Sequence, residues 1–113
     1  MFNEMFNHSV KFNYDGKDNA YMDISSYMAE VGDHAKVLGV WINPKSKHGP
    51  RGVIVLDGVN INVPKHVNDK IEKIRSNPEA VAFINQGKCG VRFSTYEKND
   101  STYYTADFYD WVE

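Results

Sequence analysis

The sequence predicts a mainly β domain with a helical insert after its third main strand. Three observations carry this expectation. Short runs at 35–43, 52–57, 59–63, 88–96 and 102–109 alternate apolar and polar residues with the two-residue period of a strand. Turn signals separate them, above all Asp57-Gly58 and the polar stretch Glu97-Lys98-Asn99-Asp100. Between the third and fourth runs, Val67, Ile71 and Ile74 fall at helical spacing. A length of 113 residues with 42% apolar and 25% charged residues suits a single globular domain, 1–113, rather than a disordered chain.

Each element has its own signal. Residues 9–14, SVKFNY, alternate enough for a strand, Asp15-Gly16 supplies a turn, and NAYMDI at 19–24 reads as the return strand of an N-terminal hairpin. A loop or short helix through Tyr27 and Met28 follows. AKVLGVWIN at 35–43 reads as one strand, with Leu38, Val40 and Ile42 on one face and Val37, Gly39 and Trp41 on the other. Gly39 in its middle suggests a bend. Next come a loop from Pro44 to Pro50, GVIVLD at 52–57 and VNINV at 59–63, with Val59, Ile61 and Val63 inward and Asn60 and Asn62 outward. Pro64 ends this segment, and the stripe of Val67, Ile71 and Ile74 begins the first helix of the insert. A second helix starts at 76–79, capped either by Asn77 with Pro78 in its first position or by Ser76 with Glu79. It carries Ala80, Val81, Phe83 and Ile84 and stops at Gly87. KCGVRFSTY at 88–96 sets Cys89, Val91 and Phe93 against Arg92, Ser94 and Tyr96. In the last run Ala106 and Phe108 are expected in the core and Tyr103 nearer the surface.

Net charge is −2, from 13 Lys and Arg against 15 Asp and Glu, which taken alone argues against an anionic partner. Its distribution is uneven. Residues 1–34 hold Lys11 and Lys17 against six acids, a net of −4. Residues 35–75 hold eight cations against Asp57, Asp69 and Glu72, a net of +5, and residues 76–113 return to −3. A basic block of this kind suits either a field for an anionic partner or an ordinary solvated surface. If it is a field, the acidic ends should lie away from it.

Other chemistry is sparse. The one cysteine, Cys89, excludes an internal disulfide and a cysteine zinc cluster. His8, His34, His48 and His66 stand at spacings that match no metal motif, and no nucleophile elbow or phosphate-binding glycine loop is present. Neither metal, cofactor nor enzymatic activity is therefore expected. No apolar run is long enough to cross a bilayer, and Glu4 stands where a signal peptide carries positive charge. These features predict a cytoplasmic protein with no membrane partner.

From Ala35 to Trp111 the order is strand, strand, strand, helical connector, strand, strand. It resembles the OB-fold, a five-stranded barrel that binds oligonucleotides and oligosaccharides, here with the helix between strands three and four. With its basic loop and a short Asn- and Lys-rich chain, the sequence resembles the small single-stranded-DNA-binding proteins of phages of Gram-positive bacteria. The resemblance covers roughly two-thirds of the chain and rests on element order and surface chemistry. It implies an OB-like barrel that binds single-stranded DNA without sequence preference, in replication or recombination, in the host cytoplasm. Residues 1–34 stand outside it, as an added hairpin or a self-association segment.

Such binding needs cations for phosphates and flat rings for bases. Lys45, Lys47 and Arg51 of the basic loop are the candidate phosphate contacts, continued by Lys88 and Arg92, while Trp41 and Tyr96 are the candidate stacking residues. Trp41 is equally suited to the core. If the strands pair as in a barrel, Trp41, Arg92 and Tyr96 share one outward surface. The acidic, aromatic C-terminus, Asp107 to Glu113, resembles the partner-binding tips of bacterial single-strand-binding proteins, but no flexible linker precedes it and it runs straight out of a strand, so a plain strand end is the other reading. Met1 to Phe6, with two Phe and two Met, reads either as a mobile end or as an apolar contact for a homo-oligomer. The alternative function is a small protein-interaction module that modulates a host protein.

Overall fold

A computed structural model describes residues 18–44 and 49–112, together with Phe12 and Gly16. The expected strand at 9–14 therefore lies, Phe12 apart, outside the described residues. The described chain is mainly β, with two sheets and three α-helices. Strands β1 (Ala20–Asp23), β3 (Gly39–Asn43), β4 (Arg51–Leu56) and β5 (Val59–Asn62) form one sheet in the order β1-β5-β4-β3. Strands β2 (His34–Lys36), β6 (Cys89–Lys98) and β7 (Ser101–Asp110) form the other, in the order β2-β6-β7.

The run at 35–43 is two strands rather than one. The Val37 N–H donates to the Cys89 carbonyl at 2.9 Å, and the next residue, Leu38, donates to the Val55 carbonyl at 2.8 Å. Consecutive residues thus bond strands of different sheets, and the bend falls beside Gly39. Strict alternation holds only while a strand stays within one pleated sheet. Here the crossing buries Val37 together with Val40, where alternation had put them on opposite faces.

β1 is the strand expected within 19–24; among the described residues its partner is β5, in parallel, from Ala20 opposite Val59 to Asp23 opposite Asn62. β5 pairs on its other side with β4 and makes no ladder with β7, so among the described residues the sheets are not closed into a barrel. Helix α1 (Ile24–Glu30) contacts both β5 and β7 and spans that gap. It buries Ile24 and Tyr27, and the Tyr27 ring meets Phe93 edge-on at 5.5 Å. Burial raises the pKa of the Tyr27 phenol. The described part of the N-terminal segment thus contributes to the core through Ile24 and Tyr27, with Met22 and Met28 packed against it.

Asn60 corrects another expectation. Alternation pointed it outward, yet it is 1% exposed. Its outer face is covered by the turn at Gly16: Asn60 Nδ2 donates to the Gly16 carbonyl at 3.0 Å, and Asn60 Oδ1 accepts from Asn19 Nδ2 at 3.1 Å. The Asn19 amide also reaches the Leu56 carbonyl. Gly16 adopts φ +64°, and a Cβ there would fall 2.5 Å from Asn60 Oδ1, so only glycine allows this close seat.

The insert folds as its spacing predicts. A 3-10 turn at Lys65–Val67, which buries Val67, leads into α2 (Asn68–Arg75), which buries Ile71, with Ile74 partly covered. Helix α3 (Pro78–Asn85) is capped by Asn77, whose Oδ1 accepts from the Glu79 and Ala80 backbone. Ser76, the other candidate cap, instead donates to the Glu72 carbonyl. Among the described residues no helix is long and apolar enough to cross a membrane.

Candidate nucleic-acid interface

β6 and β7 pair along their full length about a two-residue turn, Asn99-Asp100, both with positive φ (54° and 64°). That geometry matches the right-handed twist of the strands and uses residues that tolerate it. The turn sets the register: Tyr96 lies opposite Tyr103, Ser94 opposite Thr105, Arg92 opposite Asp107 and Gly90 opposite Tyr109. With a two-residue period, Val91, Phe93 and Ala106 enter the core while this second set faces away from it. From Thr95 to Tyr103 every residue is exposed.

The outer face carries rings and a cation. Tyr96 and Tyr103 stack at 5.5 Å with 24° between their planes, and they are 41% and 43% exposed. His66, from the 3-10 turn, stands edge-on to Tyr96 at 6.0 Å, with Nε2 2.9 Å from the Thr105 hydroxyl. The Arg92 guanidinium lies 5.6 Å from the centre of the Tyr109 ring, within cation–π range. Tyr109 adjoins Trp111 at 6.2 Å, and His34 lies 6.3 Å from Trp111. Gly90 is the floor beneath these two rings: a Cβ there would fall 2.6 Å from Trp111 Cε3 and 2.8 Å from Tyr109 Cζ. Gly90→Ala is expected to displace both rings, shift the tryptophan emission and cost about 1–3 kcal/mol of stability, read from denaturant melts.

The charges on this face are mixed. Asp107 stands directly across from Arg92 and is held by Lys70 Nζ at 2.6 Å. Lys70 also donates to the Ala106 carbonyl. Asp33, at the β2 end, accepts from His34 Nδ1 at 2.9 Å, and this hydrogen bond lowers its carboxyl pKa. The acidic blocks are therefore not set apart from the cations. Asp107 shares a face with Arg92, and Asp23 Oδ1 lies 3.8 Å from Arg51.

Of the residues singled out in the sequence, Arg92 and Tyr96 fall together on this face. Lys88 is exposed just before β6, beside a hollow lined by Phe83, Asp110 and Trp111. Trp41 does not join them: it is half-buried on β3, in the other sheet, opposite Val53, because the chain has crossed sheets at Val37–Leu38. Arg51 serves the fold, donating from Nε to the Val63 carbonyl at 3.0 Å. Lys45 and Lys47 lie outside the described residues. Sequence reasoning missed Tyr103, Tyr109, Trp111, His34 and His66 as members of the face. The signal for two of them was present: counting back from the Asn99-Asp100 turn puts Tyr103 opposite Tyr96 and Tyr109 opposite Gly90.

Cys89 faces the core side of β6, and its thiol pKa is pushed up to about 11, first by burial and then by the charge of Asp110. The thiol form is the one the fold favours. Its contribution to stability is complete below the ordinary thiol range and is lost as pH rises from there toward about 11. Alkylation of the folded protein at neutral pH is accordingly expected to be far slower than that of the unfolded chain, as mass spectrometry would show. Among the described residues no group of three or more His, Cys, Asp or Glu is placed to hold a metal ion. Comparison with family models, with curated proteins and with solved structures gives no match to this chain.

Proposed function

We propose that the protein binds single-stranded DNA without sequence preference, on the outer face of the β2-β6-β7 sheet. The observation that supports this role is the row of rings on one open face: the Tyr96–Tyr103 stack, Tyr109 beneath Arg92, and Trp111. Bases of any identity stack on such surfaces, and Arg92, Lys88 and Lys98 are at hand for phosphates. An OB-like arrangement also fits, since the 34–43 segment bonds both β4 and β6 and the helices lie between β5 and β6. In this arrangement β1 and α1 occupy the gap between β5 and β7. Protection of exposed strands in replication or recombination of the phage type is the role that such a surface serves.

Stacking rather than phosphate attraction dominates, because acids share the face. Three phosphate contacts correspond to a slope of about −2 in log affinity against log salt. The test is a salt-titrated gel shift with oligo-dT against duplex of the same length. Single-strand preference with this shallow slope is the expected result, and absence of binding by folded protein at low salt would end the idea. Oligo-dT is also expected to quench Trp111: quenching should survive Trp41→Phe and vanish in Trp111→Phe.

A further inference from the structure

Beside the ring-bearing face, bordered by Tyr109 and Trp111, α3 and the end of β7 leave an apolar surface uncovered. A groove of about 190 Å³ runs between α2, α3 and β7, lined by Ile74, Ala80, Phe83, Ile84 and Phe108. Apolar cavities of roughly 150 Å³ already take up a benzene-sized group. A second hollow, about 490 Å³, adjoins it and is lined by Phe83, Trp111 and Val112. Phe83 borders both, 50% exposed, and Val112 is 87% exposed. The same two ions, Lys88 and Asp110, border both hollows, and neither is ion-paired among the described residues. Trp111 Nε1 is buried without a hydrogen-bond partner among them.

We infer that this surface is a two-fold contact between two copies of the chain, in which Phe83 packs against its own counterpart and Lys88 of each copy pairs with Asp110 of the other. A two-fold contact requires a patch that complements itself. One that carries a protruding ring, an open groove and a single ion of each sign meets that requirement. A partner bearing one sign of charge would face repulsion from either Lys88 or Asp110. The contact shares Lys88 and Trp111 with the proposed nucleic-acid face but needs no DNA to form.

Sedimentation velocity without nucleic acid, from low micromolar to roughly 0.3 mM chain, tests it. The expected result is a monomer–dimer equilibrium whose dissociation constant rises about 10-fold or more in both Phe83→Glu and Val112→Glu. Val112 is too exposed for its replacement to harm the fold, and circular dichroism checks Phe83→Glu. Lys88→Glu and Asp110→Lys should each weaken the dimer, and the double variant should return to within about 3-fold of the parent, the coupling that an intermolecular pair requires. A parent chain that stays monomeric throughout overturns the proposal. So does a dimer indifferent to Val112→Glu, or one in which the two charge reversals weaken additively.

Discussion

Replacing Tyr96 and Tyr103 together by alanine is expected to lower the affinity for oligo-dT by about 30-fold or more, roughly 2 kcal/mol. The two rings stack on one another on an exposed ribbon, so a base that reaches one also meets the other. Their losses should therefore be less than additive, and each single variant should retain part of the surface. Both rings lie on the face turned from the core, and the double variant should melt within a few degrees of the parent. Tyr21→Ala is the matched control: an exposed tyrosine on β1, in the other sheet, whose loss should leave affinity unchanged. Fluorescence anisotropy at fixed salt makes the comparison. Affinities within about 2-fold of the parent for the double variant would remove the ring-bearing face as the binding surface.

Asn60→Ala is expected to destabilise the fold by about 2–3 kcal/mol, while Asn62→Ala, two residues along the same strand, should cost under 1 kcal/mol. The difference follows from burial. Asn60 is enclosed and ties the Gly16 carbonyl and the Asn19 amide to β5, so truncation leaves a buried carbonyl without its donor and opens a small void. Asn60→Asp should be worse at neutral pH, because a carboxylate supplies no donor to Gly16 and its charge is held from water. Its folded-state pKa would be raised, so stability should return as pH falls and the carboxyl protonates. Urea melts of the three variants read the order directly. An Asn60→Ala midpoint equal to that of Asn62→Ala would show that the Gly16 turn contributes nothing.

The helices of the insert and the long hairpin were legible because each reports on itself. Val67, Ile71 and Ile74 mark one stripe, Asn77-Pro78 marks a start, and Asn99-Asp100 marks a turn whose position sets the whole β6–β7 register. Ala106 in the core and Tyr103 at the surface follow from that register. Asn60 was illegible because its burial depends on Gly16 and Asn19, far away in sequence, folding over the outer face of β5. Trp41 was misplaced for a related reason. Its separation from Arg92 and Tyr96 depends on two consecutive residues choosing hydrogen-bond partners in different sheets.

By itself, the sequence determined much of what is local: the long hairpin and its turn, the two helices of the insert, and which rings and charges each strand carries. Spacing of two or 3.6 residues suffices there, because the constraint acts between near neighbours along the chain. Only the tertiary structure decided how those elements meet. It split the run at 35–43 between two sheets, set β1 in parallel beside β5, drew α1 across the gap to β7, and gathered His34, His66 and Trp111 around the β6–β7 face. Those outcomes depend on which distant surfaces exclude water from one another. No periodicity within a single segment records that choice.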